Sequence, residues 1–247
     1  MKDFKLVSEG VDVAGSMQLS MAGDLVSASF NTFKLRPGDN VEVDIQKATD
    51  GRYDIIFAGS SFDGRGLIKS MRSPGGSKGA GDFSGGARIA ANIDRVTGFN
   101  NQAIEKFSGK IDTGAKGLVS ADLKGLVNGR ANFEFTVTDQ GGTQAAIGRF
   151  ANTGATLRFL DLYKRMRGGT GVLNVAMADE NSWVGDFNVR SLRITEDPAI
   201  QRIREQNRSN RIPDGRAINT NEAADTASFE TLDINFSRVG ELLTISR

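Results

Sequence analysis

The chain has 247 residues, of which 38% are hydrophobic and 25% charged, and its formal net charge is +1. It has no Cys and no His, which excludes disulfides, thiol chemistry, Cys/His zinc sites and any triad that needs a His base. The balanced charge gives no overall case for nucleic acid, and no apolar run approaches the ~20 residues of a membrane-spanning helix.

The first residues, Met1-Lys2-Asp3-Phe4-Lys5-Leu6-Val7, lack the apolar stretch and cleavage site of a signal peptide. Arg36-Pro37-Gly38-Asp39-Asn40 reads as a turn between a strand ending near Leu35 and one starting at Val41. Val41, Val43 and Ile45 then alternate with Glu42 and Asp44. Asp50-Gly51 carries a hairpin signal, and Tyr53, Ile55 and Phe57 alternate with Asp54 and Ile56. Residues 63–71 place Leu67, Ile68 and Met71 at helical spacing. The Gly-rich residues 73–86 read as a flexible linker between repeat-like units.

Ile89, Ala91 and Ile93 alternate with Ala90, Asn92 and Asp94. Lys124-Gly125, Asn128-Gly129 and Asp139-Gln140-Gly141-Gly142 read as turns, and Phe133, Phe135 and Val137 alternate with Asn132, Glu134 and Thr136. Residues 153–167 predict a second helix with Leu157, Leu160, Tyr163 and Met166 on one face, Thr153 as N-cap and Gly168 as the stop. Asp179-Glu180-Asn181 reads as a hairpin turn. A third helix is predicted over 198–207, with Asp197 as N-cap, Pro198 at its first position and Ile200 and Ile203 inward. Residues 208–227 read as a long polar loop. Leu232, Ile234 and Phe236 alternate with Asp233 and Asn235, and Leu242-Leu243-Thr244-Ile245 forms a last apolar strand.

Period-two alternation puts one apolar and one polar face on each strand. The fold class is therefore mainly β: an antiparallel, curved or meander-type sheet with about three short helices packed on it, in a single β-rich region spanning 1–247. A weak repeat is visible. Gly59 to Gly64 and Gly148 to Gly154 both run Gly, Phe, Asp or Asn, Gly, and the stretch from Ile93 to Ile104 parallels that from Val189 to Ile200.

No catalytic constellation is present, and no cofactor or metal is called for. Gly76-Ser77-Lys78-Gly79 lacks the order of a phosphate-binding loop. The side chains of adjacent Asp179 and Glu180 would diverge on a strand. One Trp and two Tyr leave little to stack sugars, and the arginines of residues 202–216 have no interleaved aromatics for nucleic acid. What remains is the apolar face: Val41, Val43, Ile45, Ile55, Phe57, Ile89, Ile93, Phe133, Phe135, Val137, Leu232, Ile234 and Phe236. These residues form either a core covered by the helices or the floor of a groove for acyl chains; alternation alone leaves both open. Lys164, Arg165 and Arg167 complement a helix dipole or meet a lipid headgroup.

Phe30-Asn31-Thr32-Phe33-Lys34-Leu35-Arg36-Pro37-Gly38-Asp39-Asn40, Phe62-Asp63-Gly64-Arg65-Gly66-Leu67-Ile68-Lys69 and, above all, Ala155-Thr156-Leu157-Arg158-Phe159-Leu160-Asp161-Leu162-Tyr163-Lys164-Arg165-Met166-Arg167-Gly168-Gly169 resemble bacterial AsmA-like envelope proteins. Asp197-Pro198-Ala199-Ile200 and the strand pair from Ser228 to Ser246 follow in the order of that family. The resemblance implies a non-enzymatic periplasmic segment of a longer, inner-membrane-anchored parent, with phospholipid acyl chains and envelope proteins as partners and a role in phospholipid transport and outer-membrane integrity. It also implies that the anchor and further strands lie outside this chain. The absence of Cys suits periplasm and cytosol equally, so a cytoplasmic location stays open. The rival function is a β scaffold that binds protein and no lipid.

Overall fold

A computed structural model describes residues 2–72, 85–115, 117–139, 142–179, 182–202 and 226–246. The strands are β1 (Lys2–Ser8), β2 (Val11–Leu19), β3 (Leu25–Lys34), β4 (Asn40–Lys47), β5 (Tyr53–Asp63), β6 (Ala87–Thr97), β7 (Ala103–Gly114) and β8 (Gly117–Val127). They continue as β9 (Ala131–Asp139), β10 (Gln144–Phe150), β11 (Met166–Asp179), β12 (Ser182–Thr195), β13 (Thr226–Val239) and β14 (Leu242–Ser246). Helix α1 (Arg65–Arg72) follows β5 and α2 (Thr153–Phe159) follows β10, and residues 198–202 are also helical.

All fourteen strands form one open sheet in chain order. The mainly β, largely antiparallel architecture is the one the alternation predicts. One junction departs from a meander: β5 and β6 pair in parallel, with Ile55 opposite Ile89 and Gly59 opposite Ile93. Parallel neighbours need a crossover to return the chain to the same end, and the segment between them contains α1.

Turn chemistry sets most hairpins. Asn128 and Gly129 both have positive φ, 52° and 70°, between β8 and β9, the pattern of a type I′ turn. Lys124-Gly125 is not a turn. Gly125 lies within β8 opposite Phe133, and a Cβ there would collide with Ile104 Cγ2. Asp39 closes the β3–β4 turn: Oδ2 accepts from the Leu35 and Arg36 amides at 3.1 and 3.0 Å, and Oδ1 from the Asp63 amide at 2.7 Å. That carboxylate ties the turn to the start of α1.

The two strand-to-helix passages are built alike. Asp63 Oδ1 accepts from the Arg65 amide at 3.0 Å, and Asn152 Oδ1 from the Ala155 amide at 3.0 Å, so side chains satisfy amides that a helix start leaves free. The other pair of similar stretches diverges. Positive φ at Asn100 and Asn101 turns the chain from β6 into β7, which holds Ile104, whereas Asp197 leads into the helical residues 198–202.

Several predicted boundaries move. Helix α2 ends at Phe159 instead of 167. Leu162 N–H bonds Leu157 O at 2.9 Å and Asp161 N–H bonds Arg158 O at 3.0 Å, with Asp161 at φ 55°, a Schellman termination with Asp in the left-handed position. The helix N-cap is Asn152, with Thr153 inside the helix. Lys164 and Arg165 thus follow the helix, Met166 and Arg167 belong to β11, and Gly168 is a positive-φ strand residue instead of a helix stop. The three-residue spacing that suggested a longer helix continues because Met166 buries its side chain from a strand. In α1, Ile68 is buried but Leu67 is exposed.

Of the predicted linker 73–86, residues 73–84 lie outside the described residues. Gly86 is held at the sheet, its O accepting from the Tyr53 amide at 3.2 Å. Of the predicted loop 208–227, residues 208–225 lie outside the described residues; Thr226 and Ala227 open β13 opposite Thr195 and Ile194. The predicted helical residues 203–207, Ile203 among them, and turn residues 140–141 and 180–181 are also outside. Asp179 pairs with Ser182.

Helices α1 and α2 pack over one end of one sheet face. Ile68 of α1 and Ala155 and Phe159 of α2 form a cluster with Ile93, Val96, Ile104, Val127, Phe133 and Phe150. Two further clusters on the same face, around Val43 and Ile55 and around Ala121 and Val137, consist of strand residues.

Candidate functional site

Residues directly opposite each other in neighbouring strands share a face. One such row runs Met17, Ala28, Ile45, Ile55, Ile89, Ile111, Ala121, Val137, Ala146, Val175, Gly185, Phe236, Ile245, without a polar side chain, from β2 to β14. A second runs Phe30, Val43, Phe57, Ala91, Gly109, Leu123, Phe135, Gly148, Leu173, Phe187, Ile234. The opposite face carries mixed rows with charged and polar residues, such as Asp44, Ile56, Ala90, Lys110, Asp122, Thr136.

The sequence-selected apolar residues all lie on the first face, but at different depths. Val41, Val43, Ile55, Ile93, Phe133 and Val137 are buried, while Ile45, Phe57, Ile89, Phe135, Leu232, Ile234 and Phe236 are half-buried. Val41, Ile93, Phe133 and Leu232 lie nearer the helix-covered end than the two rows described. Burial of the first group comes from strand neighbours as well as helices, since Val137 is only 2% exposed in an all-strand cluster. Aromatic rings line the face: Phe4, Phe30, Phe33 and Phe57 contact in series, as do Phe133, Phe150 and Phe187, and Trp183 meets Phe236 edge-on.

Beneath α2 the face opens into a groove of about 220 Å³. Its walls are Leu157, Leu160 and Leu162 on one side and Phe150, Leu173, Phe187 and Phe236 on the other, with Thr153 and Thr156 completing it. The hydroxyl of fully buried Thr153 has no hydrogen-bond partner. Leu173 and Phe187 belong to the second row and Phe236 to the first, so the groove continues onto the open face. Alternation in Trp183, Phe187 and Val189 was the available sequence signal for this wall. Gly185 interrupts it, because a Cβ there would press on the Phe236 ring.

The three predicted headgroup cations separate. Lys164 pairs with Asp161 at 3.1 Å and Arg165 with Asp197 at 3.8 Å. Arg167 Nη1 donates to the carbonyls of Lys164 and Met166 at 2.5 and 3.2 Å. Tyr163 donates to Asp197; burial first, then that bond, push its hydroxyl up to about 12. The Tyr163 hydroxyl and the Ala199 amide hold Asp197 below the usual carboxylate range. Arg65 beside Asp63, helped by Arg36, holds that largely buried carboxylate well below its ordinary value.

Among the described residues no group of three or more acidic side chains is placed to hold a metal ion, and no helix is long and apolar enough to cross a membrane. Comparison with protein-family models, curated proteins and solved structures gives no match. The face offers apolar surface, aromatic and branched aliphatic side chains, and few directional groups.

Proposed function

We propose that this chain carries phospholipid acyl chains along its apolar sheet face, as a non-enzymatic segment of an AsmA-like periplasmic protein moving lipid between inner and outer membranes. The observation that supports this reading is the unbroken apolar row from Met17 to Ile245. Acyl chains need to leave water but need no specific hydrogen bonds. A continuous face of opposed apolar residues supplies that at each strand from β2 to β14, with similar free energy at successive positions, so that a chain can slide without a deep trap. Among the described residues α1 and α2 cover one end of the face, and the groove beneath α2, smaller than the ~300–1,000 Å³ of typical small-molecule sites, would take part of a chain.

The test is capture of lipid on one face. A photoreactive amino acid at Phe135 or Ile234 should crosslink phospholipid in cells, and the same residue at Glu134 or Asp233, on the opposite face, should not. Mass spectrometry of the adducts identifies the lipid. Equal crosslinking from both faces, or protein adducts alone from Phe135 and Ile234, would favour the scaffold reading instead.

A further inference from the structure

We propose that the groove beneath α2 is a binding site for an uncharged amphiphile, an apolar chain that carries a hydroxyl. Its walls are apolar except for Thr153 and Thr156, and among the described residues no charged side chain lines it. The two threonines share one side of the helix, and both are buried, at 0% and 1% exposure. Thr156 gives its hydroxyl hydrogen to the Asn152 carbonyl at 3.1 Å, which leaves its oxygen able to accept. Among the described residues Thr153 Oγ1 has no hydrogen-bond partner.

The Thr153 hydroxyl projects into the space between α2 and the sheet. It stands over Gly171 of β11, where a Cβ would collide with Oγ1 and meet the ring of Phe187, a wall of the groove. A buried polar group without a partner costs its full desolvation, so this side chain destabilises the fold until something in the groove completes it. A water held by the two hydroxyls would leave its second hydrogen against leucine and phenylalanine. A ligand hydroxyl accepts from Thr153, donates to Thr156 and turns its carbon chain to that apolar side. A carbonyl can use Thr153 alone, and a carboxylate would enter without a counter-charge.

About 220 Å³ of groove holds one short chain, with Leu173 and Phe236 on the sheet side. The Thr153 hydroxyl is sealed from solvent. A ligand reaches it by a rotamer change at Leu157 or Leu160, half-exposed side chains of the groove wall. The site is fixed beneath the helix and does not rest on carriage of acyl chains along the sheet face.

The test uses the full chain and the probes 1-octanol, 2-octanone and octanoate, titrated by calorimetry, with Tm measured alongside. 1-Octanol should bind and raise the wild-type Tm, and the other two should bind more weakly. Thr153→Val should unfold at a higher temperature than wild type in ligand-free buffer, since the orphan hydroxyl is gone. It should nevertheless bind 1-octanol about fivefold more weakly, the ratio that one neutral hydrogen bond supplies. Thr153→Ser, which keeps the hydroxyl, should bind as wild type does. Equal 1-octanol affinity in wild type and Thr153→Val would overturn the site. So would a lower Tm for Thr153→Val, or 2-octanone or octanoate binding as tightly as 1-octanol. Lipid crosslinks from Phe135 and Ile234 without 1-octanol binding would sink this site and leave the acyl-chain reading standing; 1-octanol binding without those crosslinks would do the reverse.

Discussion

Tyr163 donates its phenolic hydrogen to Asp197 Oδ2 at 2.6 Å, joining the segment after α2 to the segment after β12. The bond makes an alkaline prediction. The tyrosine pKa is raised from its ordinary value of 10.0 to about 12 in the folded chain. The stabilisation is therefore fully present below pH ~10 and is lost as pH rises through about 12. Tyr163→Phe should cost about 1 kcal/mol at neutral pH and remove a late-titrating phenolate from the ultraviolet absorbance titration. An unchanged titration would show that Tyr163 is not the shifted group.

Asp63 makes the acid counterpart. Its carboxyl is depressed by Arg65 and Arg36, so its contribution is present above the unfolded value of ~3.9 and is lost as pH falls through the lower folded value. Asp63→Asn should lower Tm at pH 7 and flatten the loss of Tm below pH ~4. It should also loosen the start of α1, measurable as faster amide exchange around Ile68. An acid limb identical to wild type would place the acid-sensitive groups elsewhere.

Leu162 and Phe150 line one groove but differ in exposure, 56% against 8%. Phe150→Ala should destabilise by about 3–5 kcal/mol, the cost of truncating a core aromatic. Leu162→Asp should change stability by less than about 0.5 kcal/mol, as at other surface positions, yet reduce lipid crosslinking from a photoreactive group at Phe187 several-fold. If crosslinking is unaffected, the groove beneath α2 is not part of the lipid path.

Strand β14 pairs with β13, and its described residues are all exposed, with Leu242, Leu243 and Ile245 each more than half exposed. Its outer row of amide and carbonyl groups is a template for another strand. The isolated chain should therefore associate with rising concentration in light scattering. Replacing Leu242 and Thr244, which lie on the opposite face of the same strand, with Lys should suppress association without lowering Tm, because edge charges block strand addition. Persistent association of that variant would move the sticky surface to the apolar face.

Face assignment was legible in the sequence wherever a strand alternates strictly. Phe133, Phe135 and Val137 share a face, with Glu134 on the other, because side-chain direction along a strand depends only on position within it. Asp50-Gly51 and Asn128-Gly129 marked hairpins because left-handed backbone favours those residues locally. What no single strand could reveal is how neighbours align. The apolar row from Met17 to Ile245, the parallel step between Ile55 and Ile89, and the opposition of Arg167 to Arg193 are inter-strand registers, set by pairing between residues distant in the chain. The second helix shows the same division. Its apolar spacing ran on to Met166, but the chain turns at Asp161 and Met166 buries from β11. Only that turn brings Arg158 and Arg167 onto one carbonyl oxygen and opens the groove under Leu157.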